Sequence, residues 1–138
     1  MFVIEPEGLI TVQEIAAYTV ILCSHVLEHV LDDKQAMREF YRVLMNDQWA
    51  IILVPITSET TFEDSSIVDP EGRLKAFGQH DHVRRYGPDY VERLCDAGFT
   101  VETTKVGDLA TSYEAVRMGL VLAGGDRYAS GAIYYCTK

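Results

Sequence analysis

Blocks of apolar residues separated by short polar segments predict a strand, a helix and a second strand in the first half of the chain. Residues 18–23 (YTVILC) form a continuous, β-rich run, as expected for a parallel strand buried on both faces. Asp32-Asp33 then provides an N-cap and a first-turn negative charge for a helix. Asn46-Asp47 ends that helix, and residues 49–56 (WAIILVPI) predict the next buried strand. The inward face of the helix recurs at i, i+3, i+4 and i+7, with Met37, Phe40, Tyr41 and Leu44.

A long polar segment, residues 57–82, follows this βαβ unit. One helical turn is predicted from Asp69 to Phe77, because Pro70 suits the first position of a helix. Connections of this length tend to carry function. We therefore expect part of any functional site to lie in this segment.

A helix and two strands complete the prediction. A helix is predicted within residues 87–98, where Gly-Pro-Asp begins it and Gly98 ends it. Strands are predicted at residues 99–106 and 132–136. The inward face of the helix consists of Tyr90, Val91, Leu94 and Cys95. Weaker patterns are short apolar runs at 2–4 and 9–12, a helix near 113–118 and a turn at 124–126.

The composition is that of one domain with an acidic surface. With 138 residues and 48% hydrophobic content, the chain is long enough to bury a core. No apolar run approaches the ~20 residues of a membrane span, and no signal peptide is evident. The net charge of −9 disfavours a nucleic-acid partner, so a small-molecule or protein substrate is the better expectation. The three cysteines predict buried free thiols and a cytoplasmic protein, since they are odd in number and each lies in an apolar pattern: Cys23, Cys95 and Cys136.

Two long segments resemble one protein family. Residues 19–55 (TVILCSHVLEHVLDDKQAMREFYRVLMNDQWAIILVP) resemble the middle of the class I S-adenosylmethionine-dependent methyltransferases of the small-molecule type, type 11-like. Residues 77–102 (FGQHDHVRRYGPDYVERLCDAGFTVE) resemble a later part of the same family, in the same order. The resemblance extends from about Tyr18 to Cys136. It implies an α/β, partial Rossmann-like fold: a mixed sheet of four to five strands flanked by helices, with the last strand antiparallel between its two predecessors.

One part of the family pattern has no counterpart here. The family carries a D/E-x-G-x-G-x-G loop whose glycines let the backbone approach S-adenosylmethionine, and none of the ten glycines forms that pattern. Residues 1–138 therefore resemble a single, truncated methyltransferase domain. We expect weak or absent cofactor binding by this chain alone, and its own activity is left open.

The resemblance and the local chemistry indicate candidate site residues. Ser24 and His25 follow a parallel strand at its carboxyl end, and in the family this pair lies beside the methionine portion of the cofactor. A polar cluster further along the chain can supply a general base and a cation for an anionic substrate group, or else cap a structural loop. No catalytic residue is assigned, because methyl transfer depends mainly on alignment. The candidate substrate-binding residues of the cluster are His80, His82, Arg85 and Tyr86.

A rival interpretation uses some of the same residues. His25, Glu28 and His29 fit H-x-x-E-H, the inverted zinc-protease motif, in which two histidines one helical turn apart bind zinc. Three fixed positions make a weak signal, whereas the methyltransferase resemblance accounts for the same residues and their flanks. We therefore expect no bound metal.

The leading functional prediction is methyl transfer from S-adenosylmethionine to a small molecule. The alternative is a non-catalytic remnant or partner module that associates with itself, and a zinc-dependent peptidase is a further alternative. The strand at residues 18–23 has only a short, interrupted strand before it, so its edge and apolar faces need covering. The chain is accordingly predicted to be a homodimer, joined through that edge or by exchange of residues 1–17.

Overall fold

Strands and short helices alternate along the computed structural model, which describes residues 18–105, 108, 114 and 132–138. A single-turn 3₁₀ helix spans Leu27–His29. The helices of the described residues are α1 (Asp33–Val43), α2 (Pro70–Phe77) and α3 (Tyr90–Asp96). The strands are β1 (Tyr18–Ser24), β2 (Leu44–Leu53), β3 (Phe62–Glu63), β4 (Arg84–Arg85), β5 (Thr100–Lys105) and β6 (Ala132–Thr137).

Four strands form a mixed sheet in the order β1-β2-β6-β5. β1 and β2 are parallel and are joined through α1, while β6 runs antiparallel to both β2 and β5. The expectation that the last strand lies antiparallel between its two predecessors is therefore confirmed. So is the α/β class, a mixed four-stranded sheet with flanking helices.

The junction between α1 and β2 differs from the prediction. Asp32 caps α1 as expected, its carboxylate accepting a hydrogen bond from the Gln35 backbone at 2.8 Å. The helix nevertheless ends at Val43, and Leu44 is already extended and paired with Tyr18. The predicted helix end at Asn46-Asp47 is thus wrong: pairing with β1 takes over three residues earlier, and a register shift with left-handed Asp47 (φ 60°) follows.

Strand β1 is buried on one face and exposed on the other. Ile21 and Cys23 point into the core, whereas 40% of Val20 and 71% of Leu22 is exposed. The prediction of a strand buried on both faces is wrong for the described residues, because the described part of the chain leaves the outward side chains of β1 uncovered. Among those residues β1 is also an edge strand, paired only with β2. This exposed apolar face is in keeping with the expectation that the strand needs covering.

The helices after β2 follow the predicted pattern closely. Asp69 caps α2, Pro70 occupies its first turn, and Gly78 ends it with φ 89°. Gly98 follows α3 with φ 112°, a left-handed conformation that favours glycine. Tyr90 and Leu94 of α3 are fully buried. Of the three thiols predicted to be buried, those of Cys23 and Cys136 are buried. Cys95 is exposed, because it lies on the outer side of this short helix.

Some predictions cannot be compared with the structure. The runs at 2–4 and 9–12, the turn at 124–126 and all but Glu114 of the helix near 113–118 lie outside the described residues, as does the end of the predicted strand 99–106. No helix among the described residues is long and apolar enough to cross a membrane.

Candidate functional site

A cavity of about 420 Å³ lies at the carboxyl ends of the parallel strands β1 and β2. Residues that follow β1 form one wall, residues just after β2 form another, and the end of α2 with the approach to β4 closes the third. The predicted loop 57–82 therefore contributes to the cavity. Its lining consists of His25, Glu28, His29, Pro55, Thr57, Phe77, Gly78, Gln79, His82 and Arg85.

The turn after β1 has an unusual backbone. His25 adopts a left-handed conformation with φ 55°, which is uncommon outside glycine although histidine, asparagine and aspartate adopt it more often than other residues. Its N–H donates to the Leu53 carbonyl at 3.0 Å. The 3₁₀ helix follows directly, with the His29 N–H bonded to the Val26 carbonyl. Non-glycine residues held in this region cost of order 1–3 kcal/mol and are concentrated at functional sites.

Glu28 is a buried carboxyl group with an incomplete set of partners. Its side chain is 2% exposed, and its Oε1 lies 3.4 Å from Nδ1 of His25. Oε2 is buried and has no hydrogen-bond partner. Burial raises the pKa of the Glu28 carboxyl, against the lowering effects of its own backbone N–H and of His25 and His29. The structure thus holds a carboxyl group where its charged form is poorly compensated.

Two histidines stand next to Glu28. The rings of His29 and His82 meet edge to face, with centroids 4.6 Å apart. Nδ1 of His29 lies 3.3 Å from Oδ2 of Asp81. His82 is buried, and burial followed by the charge of His29 lowers its pKa. His82 is therefore a neutral imidazole near pH 7, able to donate from one nitrogen and accept at the other.

Arg84 holds the turn that carries Glu28 and His29. Its guanidinium is buried and donates to three main-chain carbonyls: Nη1 to Leu27 at 2.7 Å and Val30 at 2.5 Å, and Nη2 to Leu31 at 2.8 Å. The Val83 N–H adds a bond to the Glu28 carbonyl at 2.9 Å. The two-residue ribbon of β3 with β4 places Arg84 there, and this ribbon falls in and beside a segment predicted as a loop.

A second network, buried at Asp33 and Tyr86, links α1, β3, β4 and α3. The Tyr86 hydroxyl donates to Oδ2 of Asp33 at 2.6 Å, and Nη1 of Arg93 lies 3.0 Å from the same oxygen. Glu63 joins both arginines, 3.0 Å from Arg84 and 3.0 Å from Arg93. Asp33 was predicted only as a first-turn charge, and nothing in its spacing signals this buried role.

Arg85 offers a cation to the cavity. Its Nε donates to Oγ1 of Thr57 at 3.3 Å, and its Nη2 donates to the Thr57 carbonyl. These bonds tie the guanidinium to the segment that follows β2. A positioned guanidinium with remaining donors is suited to a carboxylate or phosphate group.

The structure brings together some of the predicted site residues and separates others. His25, His82 and Arg85 line one cavity. Ser24 is exposed at the end of β1, and His80 is exposed; neither is part of the lining. Tyr86 is fully buried with its hydroxyl on Asp33, so it lies in the core rather than on a wall a substrate can reach.

The geometry of the inverted zinc-protease motif is not formed. That motif needs two histidines one turn apart on one helix, whereas the helix here is only the three residues Leu27–His29. His25 precedes it in a left-handed conformation. The His25 and His29 pair therefore lacks the helical frame that the motif requires.

Comparison with known proteins agrees with the topology. A family model described as a methyltransferase domain matches residues 10–52. An S-adenosylmethionine-dependent methyltransferase from Mesorhizobium loti superposes with a TM-score of 0.56 at 12% identity, over 89% of this chain and 62% of that one. The [4+2]-cyclase SpnF superposes with a TM-score of 0.51 at 19% identity, over 98% of this chain and 55% of that one. No curated protein is similar in sequence.

The described residues therefore form part of a class I methyltransferase fold. The inserted antiparallel strand, the cavity at the strand ends and the matched βαβ segment all agree with that class. The chain spans less than two thirds of the length of either solved relative. Within that limit, the chain is confirmed as a class I methyltransferase-like fragment: the family model covers the first of the two resembling segments, and the shared fold extends over the second.

Replacing Glu28 with glutamine is expected to raise the free energy of unfolding of the metal-free chain at pH 7.5 by about 1 kcal/mol or more. The reason is that burial raises the pKa of the Glu28 carboxyl, so its ionisation favours the unfolded chain as pH rises, whereas the amide keeps the shape and does not ionise. Urea unfolding followed by circular dichroism measures the difference. Glu39→Gln, at a half-exposed position of α1, is the control, expected within about 0.5 kcal/mol. A lower free energy of unfolding in Glu28→Gln would contradict the prediction, because it would show that interactions of the carboxylate stabilise the folded chain.

Proposed function

We propose that this chain takes part in methyl transfer from S-adenosylmethionine to a small molecule, with the cavity as the place where donor and acceptor meet. The observation that carries the proposal is the position of the cavity, since open α/β sheets bind ligands at the carboxyl ends of their strands. A volume of about 420 Å³ is within the range of small-molecule sites. The fold of the class supports the same conclusion.

The described residues fit the methionine end of the cofactor better than its nucleoside. His25, with Ser24 beside it, provides the edge at the end of β1 where the methionine portion of the cofactor would lie. The sequence has no Gly-rich loop for the rest of the ligand. When bound, the cofactor would supply a methyl group on a sulfonium, whose departing neutral thioether is an excellent leaving group. This chain would then contribute part of the pocket.

On the substrate side, His82 and Arg85 are the proposed contacts. The neutral imidazole of His82 can hydrogen-bond an acceptor or donor, and Arg85 can bind an anionic group. Their task would be to align the acceptor atom with the methyl group and to exclude water, because alignment supplies much of the rate in such a transfer. A small anionic or polar molecule is the substrate class these walls favour. The free thiols favour a reducing compartment, and we place the protein in the cytoplasm.

A titration with S-adenosylhomocysteine tests the proposal. We expect saturable but weak binding, with a dissociation constant of about 0.1–1 mM, because only the His25 edge of the usual pocket is present. NMR chemical shifts should change at Ser24 and His25, and the double variant Ser24→Ala, His25→Ala should abolish the response.

The matched control is His80→Ala, an exposed histidine outside the cavity lining, which should bind like the unmodified chain. If the chemical shifts near His25 do not change at millimolar S-adenosylhomocysteine, the cofactor does not bind in this cavity. Binding in the low micromolar range would show that the pocket is complete, which contradicts the expected weakness.

A second candidate function is supported by the open face of β1. The exposed side chains of Val20 and Leu22 lie on alternate residues of one strand, so they share one face of the sheet. A contiguous apolar face of this kind is typical of an interface. The chain would then act as a self-associating module, without chemistry of its own. Cofactor binding at His25 distinguishes the two candidates, since this second function does not require it.

A further inference from the structure

We propose that Glu28, His29 and His82 form a binding site for a divalent metal ion of the zinc type. The ligand atoms of these three side chains lie within 4.8 Å of one another. They come from two separate parts of the chain, the 3₁₀ helix after β1 and the approach to β4, so the fold rather than a local motif assembles them. The inference does not depend on methyl transfer.

The donor set selects the metal. Two imidazoles and one carboxylate are ligands that zinc takes, whereas magnesium and calcium prefer oxygen donors only. Ligand atoms about 2.1 Å from a tetrahedral ion lie roughly 3.4 Å from one another. The three ligand atoms here lie within 4.8 Å, so movements of the side chains on the order of one ångström would complete the site. Three protein ligands leave a fourth position, and all three side chains line the cavity.

An independent observation points to a missing partner. Oε2 of Glu28 is buried and has no hydrogen-bond partner, although buried carboxylate oxygens are nearly always paired. Glu28 as a whole is 1% exposed. Its other oxygen faces the exposed imidazole of His25. A cation on the side of His29 and His82 would satisfy the free oxygen and remove the cost of burying the charge.

The surroundings balance the charge of such an ion. Asp81 Oδ2 lies 3.3 Å from Nδ1 of His29, the arrangement in which a carboxylate orients an imidazole ligand. Glu28 and Asp81 together carry two negative charges when ionised, which matches one divalent cation. Arg84 holds the turn below the site through carbonyls, and its guanidinium does not compete for Glu28.

This site differs from the one the sequence motif predicts, and the proposal replaces the expectation of no bound metal, which concerned the His25 and His29 pair. The inverted zinc-protease motif uses His25 and His29 as the pair, while the structure groups His29 with His82. Each interpretation therefore names a different histidine as dispensable. His82→Ala and His25→Ala form a matched pair of variants that separates the two.

The experiment is a calorimetric titration of the metal-free 138-residue chain with zinc chloride, in a buffer that does not bind zinc. We expect one zinc per chain and no measurable response to magnesium chloride. His82→Ala and Glu28→Gln should each weaken zinc affinity at least about 100-fold, and Asp81→Asn about 10-fold. His25→Ala should remain within about threefold of the unmodified chain.

Three results would overturn the proposal. They are an absence of zinc binding, loss of binding in His25→Ala with retention in His82→Ala, and affinity unchanged in both His82→Ala and Glu28→Gln. The last result would show adventitious binding elsewhere, for example at exposed His80 or Cys95. Circular dichroism checks the fold of each variant. If His82→Ala fails to fold, Glu28→Gln decides, because that substitution is expected to preserve stability.

Discussion

Replacing Arg84 with methionine should lower the free energy of unfolding by about 3 to 5 kcal/mol. The guanidinium is 3% exposed and is the donor to the carbonyls of Leu27, Val30 and Leu31. Its removal takes a cation from beside the buried carboxylate of Asp33 and from Glu63. It also takes a donor from the partly buried carbonyls of Val30 and Leu31, whereas the Leu27 carbonyl keeps its bond from the Val30 N–H. Methionine keeps much of the length, so the loss reflects the missing charge and bonds rather than a cavity.

Chemical unfolding followed by circular dichroism measures this loss. Arg38→Met is the matched control, since Arg38 is exposed on α1 and should change stability by no more than about 0.5 kcal/mol. Arg84→Lys should recover less than half of the loss, because an ammonium cannot reproduce the forked donors of a guanidinium. A loss below about 1 kcal/mol in Arg84→Met would mean that the turn holds its shape without this residue. The expected S-adenosylhomocysteine response at His25 should then survive as well.

If the chain is a homodimer joined through β1, as proposed, replacing Leu22 with aspartate should convert it into a monomer, raising the dimer dissociation constant at least about 100-fold. Leu22 is 71% exposed on β1, with Val20 on the same face. Burying one leucine side chain contributes about 1.5–3 kcal/mol, and a symmetric dimer buries two copies. Each 1.4 kcal/mol changes the constant tenfold, so the double loss exceeds the stated factor.

Analytical ultracentrifugation across micromolar concentrations measures the assembly. Leu74→Asp is the matched control: Leu74 is a similarly exposed leucine, but it lies on α2 and should leave the dimer intact. A wild-type chain that remains monomeric, with cooperative thermal unfolding, would contradict the dimer. It would also remove the basis for the self-associating alternative. Retention of the dimer in Leu22→Asp would place the interface on another surface.

The His25 turn directly follows the strand that carries the exposed β1 face, so assembly and ligand binding can be tested together. If the dimer forms through β1, Leu22→Asp should not alter zinc affinity, because the three proposed ligands come after the strand and before β4. Cofactor binding at Ser24 and His25 is closer to the interface. A change in S-adenosylhomocysteine affinity on dissociation would show that the interface supports that pocket.

The periodicity of the sequence determined those features that depend on neighbouring residues. The N-cap of α1 at Asp32, the first turn of α2 at Pro70 and the stop after α3 at Gly98 follow from local backbone chemistry, and the structure confirms them. The position of β6 between β2 and β5 was predicted from the family resemblance instead, because strand order depends on pairings that no local pattern encodes. The cavity position followed from the rule that parallel strands present ligands at their carboxyl ends.

Only the tertiary structure decided which polar residues are buried and what they contact. Arg84 and Arg85 are neighbours in the sequence, yet one is enclosed beneath the turn and the other lines the cavity, because β4 directs successive side chains to opposite faces. Tyr86 looked available to a substrate and is instead bonded to Asp33 across the core. Glu28 and His82 are far apart in the sequence and meet only because β4 folds back onto the turn after β1. Local patterns record which residues are adjacent in the chain, whereas burial and pairing depend on segments that become neighbours only on folding.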